Sequence, residues 1–97
     1  MSFKINGRDV NGYKESYLTD QYQEGRTWDH ELRYIINKVI SPNDVILECD
    51  AHVGSHTFQF SSKSKKVYAL EAYNETYNFL FNNVSCLDNV VPINTAL

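Results

Sequence analysis

The sequence predicts an α/β fold built on a three-stranded parallel sheet, and two observations lead to that prediction. Short apolar runs at residues 45–47, 67–70 and 90–93 have strand length and alternate with segments of helical character. The first two runs are each followed by an acidic residue, Glu48 and Glu71. In open α/β sheets, ligands bind at the carboxyl ends of the strands. We therefore expect a parallel sheet joined by right-handed crossovers, with a ligand site at this edge.

Composition places the chain among ordinary globular proteins. Its 97 residues suit one small domain, and 42% hydrophobic with 22% charged residues argues against disorder. A net charge of −3 gives no electrostatic reason to expect nucleic acid as a partner, and no apolar run approaches the length of a membrane span. Two cysteines are too few for a disulfide framework, and the N-terminus does not resemble a signal peptide. These features predict a cytoplasmic location.

The first 26 residues are predicted to form a hairpin and a lead-in segment. Residues 3–5 and 8–10 have strand character, and Asn6-Gly7 between them supplies the positive φ that a two-residue turn requires. The polar stretch that follows is expected to lie over the remaining domain, residues 27–97.

Helices are predicted before, between and after the first two strands of the sheet. Thr27 can cap the first helix, whose apolar residues recur at helical spacing until Ser41-Pro42 stops it. Residues 54–62 are ambiguous, because residues 57–60 alternate as a strand would while the flanking residues suit a helix. Asn74 is predicted to cap the third helix.

The order of the strands can also be predicted. Pro92 has no N–H to donate to a sheet, so strand 90–93 is expected at an edge, with strand 67–71 in the centre and strand 45–49 on its other side. The free edge of strand 45–49 would then present unpaired backbone groups. We expect it to be satisfied by the hairpin, by a homo-oligomer or by a second polypeptide.

A strand ending in Glu48, a turn through Gly54 and a second strand ending in Glu71 have the arrangement of a nucleotide cofactor site. Such a site needs close backbone approach, a helix N-terminus and an acid that holds ribose hydroxyls. The alternative is that the two glutamates are ordinary polar residues at strand ends. The pattern alone leaves both open, because glycine is sparse in this turn.

Four segments, 45–57, 67–77, 82–83 and 89–97, have a characteristic order and spacing. In these segments the chain resembles a known family, the FkbM-type S-adenosylmethionine-dependent methyltransferases. In that family an acidic residue closes the first strand, Gly-Ala-Asn-x-Gly follows, and a Glu that binds ribose ends the second strand; Glu48, Ala51, Gly54 and Glu71 match this motif. The resemblance implies a Rossmann-like methyltransferase half-fold, S-adenosylmethionine as cofactor, methyl transfer to a hydroxyl or similar nucleophile, and a helix over residues 54–62.

Two residues of the predicted cofactor loop depart from the family motif. Asp50 stands where the family has its first glycine, and His52 stands where it has asparagine. An aspartate tolerates positive φ better than most residues but adds bulk and negative charge. We therefore expect weaker cofactor binding than a glycine-bearing loop would give.

Two other functions compete with a methyltransferase. A metal site could use His52 and His56 with the neighbouring Glu48, Cys49 and Asp50, although no second cluster of ligands follows. A degenerate, non-catalytic module used for protein interaction would explain the altered loop. For an active enzyme we expect a small-molecule or glycan-type acceptor, with neither nucleic acid nor a membrane as partner.

Overall fold

The computed structural model describes residues 2–5, 8–12 and 30–97, and the side chains of 11–12 and 31–97. The Thr27 cap and the lead-in segment lie outside the described residues. The elements in chain order are β1 Ser2–Ile5, β2 Arg8–Asn11, α1 His30–Val39, β3 Val45–Glu48, α2 Thr57–Lys63, β4 Lys66–Leu70, α3 Asn74–Val84 and β5 Val90–Ile93.

Strands β3, β4 and β5 form a parallel sheet in which β4 is central, as predicted. Leu47 is opposite Tyr68, and Ala69 is opposite Pro92. Pro92 therefore lies on an edge strand, where its missing N–H costs the sheet least. The three-stranded parallel sheet with flanking helices confirms the predicted fold class.

The hydrophobic core lies between one face of the sheet and the helices that follow β3 and β4. Val67 and Ala69 of β4 are fully buried there against Leu80 and Val84 of α3. Val45 points to the opposite face because side chains alternate along a strand, and it is 58% exposed. The core is thus one-sided, and it fixes the position of α3 relative to the end of β4.

The N-terminal hairpin was predicted correctly as a pair of antiparallel strands, with Ile5 opposite Arg8. It forms a separate two-stranded sheet and does not add to β3. Of the three alternatives for the free edge of β3, pairing with the hairpin is therefore wrong. The hairpin is instead attached to α3, through Asn11 and Asn83.

Two helix boundaries differ from the prediction. Residues 54–62 do contain a helix, but it begins at Thr57, after a turn that carries the chain out of β3. Asn74 is the first residue of α3 and not its cap, since the capping position is occupied by Tyr73. The Tyr73 N–H donates to Glu71 Oε2, 3.1 Å away, so this carboxylate satisfies the main chain just before the helix, while the side chain of Tyr73 makes no capping hydrogen bond.

None of the described helices is long and apolar enough to cross a membrane.

Candidate functional site

The loop between β3 and α2 runs past the carboxyl ends of β3 and β4. It contains three residues with positive φ: Asp50 at 56°, His52 at 57° and Gly54 at 100°. The left-handed region is uncommon for residues other than glycine, but Asp and His are among those most enriched in it. The two departures from the family motif thus keep a backbone conformation that glycine and asparagine adopt easily.

Three consecutive residues fix this loop to three different parts of the fold. The N–H of Ala51 donates to the carbonyl of Leu70 at 2.9 Å, and the N–H of His52 donates to Glu71 Oε1 at 2.9 Å. The carbonyl of Val53 accepts from Asn83 Nδ2 at 2.8 Å. The end of β4, the carboxylate after it and helix α3 therefore hold the loop in one shape, which lowers the entropy lost when a ligand binds.

Gly54 allows the loop to lie close to α3. A Cβ at this position would come within 3.3 Å of Leu80 Cδ1 and 3.5 Å of Val84 Cγ1. Its φ of 100° is also one that side chains rarely adopt. Glycine therefore suits this position for two reasons: it adopts the backbone conformation without strain, and it leaves room for the loop to pack against the helix.

Glu71 is the best-placed carboxylate at this edge of the sheet. It is only 8% exposed, and its two oxygens each accept one main-chain N–H, from His52 and from Tyr73. A carboxylate offers about four acceptor positions, so each oxygen retains capacity for a second donor. A pair of ribose hydroxyls is a donor set that fits this capacity.

Glu48 is the last residue of β3, and its carboxyl group is largely buried. Burial raises the pKa of Glu48 to about 7, because an ionised carboxylate loses hydration there. A hydrogen bond of 2.6 Å from the Thr57 hydroxyl acts in the opposite direction and favours the ionised form. The carboxyl group therefore changes charge close to neutral pH.

The histidines of the loop do not assemble a metal site. Burial lowers the pKa of His52, opposed by the nearby Glu71 carboxylate, so the imidazole favours its neutral form. His56 lies half-buried at the N-terminal end of α2. In the described part of the chain, no group of three or more His, Cys, Asp or Glu side chains is arranged to hold a metal ion.

The structure brings the predicted site residues together, as the main chain and side chains of one loop with Glu48 on one side and Glu71 on the other. Asp50 differs from the other predicted site residues, because it is exposed while they are buried or half-buried. Sequence reasoning missed Thr57 and Asn83. Asn83 had a recognisable signal: it is a polar residue three positions after Leu80 and next to Val84, on the helix face that the apolar pattern buries.

A scan against protein-family models and a search of curated proteins found no match. Solved structures do match. TYW2 of M. jannaschii in complex with AdoMet aligns with a TM-score of 0.69 at 24% identity, over 97% of this chain and 42% of the other. The M. jannaschii tRNA m1G37 methyltransferase gives 0.69 at 24%, over 95% and 28%. An rRNA methylase from Streptococcus thermophilus gives 0.63 at 19%, over 69% and 42%.

The fold is that of the Rossmann-like methyltransferases. The matches extend over less than half of each neighbour, so this chain spans only a part of the length of the proteins it resembles. They show the fold alone, and they do not single out the FkbM family.

The partner expectation is wrong in excluding nucleic acid. Similar structures include rRNA and tRNA methyltransferases. The exclusion relied on a net charge of −3. That quantity describes this chain alone, which matches 28% of the length of the tRNA enzyme. In a larger protein, the basic residues that contact phosphates can lie on a part other than the cofactor fold.

Proposed function

We propose that this chain is the S-adenosylmethionine-binding module of a methyltransferase. The observation that carries the proposal is the position of Glu71. Its carboxylate lies at the end of the central strand, fixes the loop after β3 and keeps acceptor capacity on both oxygens. This arrangement matches what a nucleoside cofactor needs at the carboxyl edge of a parallel sheet.

In this proposal Glu71, the main chain of the loop and Glu48 have different tasks. Glu71 accepts hydrogen bonds from the ribose hydroxyls, and the main chain of Ala51, His52 and Gly54 lies against the methionine part of the cofactor. Glu48 lies beneath that part and supports the loop through Thr57. When bound, S-adenosylmethionine supplies a methyl group on a sulfonium centre, which is open to attack by a nucleophile.

The acceptor is proposed separately from the cofactor. The names of two similar structures, an rRNA methylase and a tRNA methyltransferase, favour an acceptor group carried on RNA. The FkbM resemblance adds the finer proposal that the accepting atom is a hydroxyl oxygen. Transfer to such an oxygen depends mainly on holding it in line with the methyl group. A test is to supply structured RNA and labelled S-adenosylmethionine and to locate any methyl group transferred.

Isothermal titration with S-adenosylmethionine and S-adenosylhomocysteine tests cofactor binding. We expect the wild-type chain to bind and Glu71→Gln to bind about 10- to 100-fold more weakly, the effect of losing a hydrogen bond to a charged group. Glu75→Gln removes an equal charge at an exposed position of α3 and is the matched control. Thermal melts of the variants separate lost binding from lost folding. If Glu71→Gln binds S-adenosylmethionine as tightly as the wild type does, the assignment of Glu71 to the cofactor site is wrong.

Asp50 permits a second test of the same site. Because Asp50 has φ of 56° and an exposed side chain, Asp50→Gly costs no packing and removes a negative charge. We expect it to strengthen cofactor binding by up to about fivefold, the scale of an exposed charge interaction. Asp50→Asn keeps the size and removes only the charge, so it separates the two contributions. A weaker affinity in both variants would contradict the proposed placement of the methionine part of the cofactor against the main chain of residues 51–54.

A non-catalytic module for protein interaction is the second candidate. It is favoured by one observation: both oxygens of Glu71 already hold main-chain N–H groups, so the loop keeps its shape without a ligand. Absence of binding to both S-adenosyl compounds by a folded chain would select this function over the first.

A further inference from the structure

The hairpin is attached to α3 through the side-chain amide of one residue. Asn83 Oδ1 accepts the N–H of Asn11 at 2.8 Å, and Asn83 Nδ2 donates to the carbonyl of Asn11 at 2.8 Å. Both main-chain groups of Asn11 are thus satisfied by one amide, in the way that a neighbouring strand would satisfy them. Asn83 is 5% exposed, so water competes little for these bonds.

The same amide also holds the candidate cofactor loop. Asn83 Nδ2 carries two hydrogens, and besides the Asn11 carbonyl it donates to the carbonyl of Val53 at 2.8 Å. Val53 lies between two of the three loop residues at positive φ, His52 and Gly54. An amide group is planar, so the direction of one N–H fixes the direction of the other. A shift of the hairpin therefore changes the hydrogen bond that orients the loop.

We propose that Asn83 is a positioning residue that couples docking of the hairpin to binding of S-adenosylmethionine at the loop. The inference rests on the proposed function for the identity of the ligand. With the hairpin docked, the amide is held at both ends and the Val53 carbonyl has one orientation. With the hairpin displaced, two of the three bonds of the amide are lost, and the loop loses a fixed anchor. Coupling between two sites is reciprocal, so the cofactor also stabilises the docked hairpin.

Isothermal titration with S-adenosylmethionine tests the coupling in variants of the 97-residue chain. Asn83→Asp keeps the acceptor oxygen and replaces the donor by an oxygen that faces two carbonyls. We expect about tenfold weaker binding of S-adenosylmethionine, within the usual range of coupling between sites. Asn82→Asp introduces the same charge at the adjacent, exposed position and is the matched control. We expect its affinity to stay within about twofold of wild type.

A second pair of variants perturbs the hairpin side alone and keeps the test decisive if Asn83→Asp does not fold. Asn11→Pro removes the N–H that donates to Asn83 and leaves the carbonyl. Asn11→Ala keeps both main-chain groups and changes only an exposed side chain. We expect the proline variant to bind the cofactor several-fold more weakly, and the alanine variant to bind as wild type does. Equal affinity of the two variants would overturn the coupling.

Hydrogen exchange provides a readout that a purely structural role would not change. In the wild type, S-adenosylmethionine is expected to slow exchange of the Asn11 amide as well as the His52 amide. In Asn83→Asp the response at Asn11 should disappear. If the wild type binds the cofactor but Asn11 does not respond, the inference is wrong. If the wild type does not bind, the proposed function fails, and the hairpin–loop link is then judged by whether the Asn11→Pro substitution speeds exchange at His52 without ligand.

Discussion

The buried carboxyl group of Glu48 makes the stability of this protein depend on pH in a direction that can be measured. Its pKa rises from 4.5 to about 7 in the folded protein, because burial penalises the ionised form more than the Thr57 hydrogen bond favours it. Between those values the folded state holds more of this proton than the unfolded state does. The free energy of unfolding from this group therefore falls as pH rises through that interval.

The magnitude follows from the size of the shift. A shift of about 2.5 pKa units at 1.36 kcal/mol per unit corresponds to about 3 kcal/mol. The stability that Glu48 contributes is fully present below about pH 4 and is lost above about pH 7.5. Small domains have about 5–15 kcal/mol of stability in total, so the loss is a large part of it.

Glu48→Gln isolates the effect. Glutamine does not titrate, has nearly the same size and keeps a carbonyl oxygen that can accept from Thr57. Urea unfolding of the wild type and the variant at pH 4, 5, 6, 7 and 8 gives the difference in free energy at each pH. We expect the variant to gain about 3 kcal/mol relative to wild type between pH 4 and pH 8. Glu75→Gln, at an exposed position, supplies the baseline for removing one carboxylate. If the difference in free energy of unfolding between variant and wild type does not change across this range, the pKa of Glu48 is not raised by burial.

Two further predictions concern Gly54 and Thr57. Gly54→Ala should lower the free energy of unfolding by about 1–3 kcal/mol, because it places a Cβ at φ of 100° and 3.3 Å from Leu80; urea unfolding measures this, and a loss below about 0.5 kcal/mol would contradict the packing. Thr57→Val should raise the pKa of Glu48 further above about 7, because it removes the hydrogen bond that favours the ionised form. Carbon-detected NMR titration of the side-chain carboxyl group measures that shift, and a lower value would contradict the assigned role of Thr57.

The parts of the fold that could be predicted from sequence were those set by apolar periodicity and by proline. Three strands with helices between them follow from local pattern, and the edge position of β5 follows from one missing N–H at Pro92. The start of α2 could not be predicted, because residues 54–56 suit a helix locally but are used to carry the chain from the sheet into the core. The start of α3 could not be predicted either, because Tyr73 and not Asn74 takes the capping position, where its N–H donates to Glu71.

The candidate site was predictable in its residues but not in its contacts. Acids at strand ends and a glycine in the turn can be recognised along the chain, and they indicated Glu48, Gly54 and Glu71. The part played by Asn83 depends on bonds to residues 30 and 72 positions away, which only the folded chain brings together. Local pattern also could not show that Asp50 and His52 keep the left-handed conformation of the residues they replace.

The double attachment of Glu71 has a consequence for how this position can change in evolution. A carboxylate that fixes the loop through His52 and begins α3 through Tyr73 contributes to folding whether or not a cofactor is ever bound. Replacing it would therefore cost stability in a chain that binds the cofactor and in one that does not, so an acid at this position is not by itself a sign of binding. The side chain of residue 50 is exposed, so replacements there are constrained by the φ of 56° and not by such contacts.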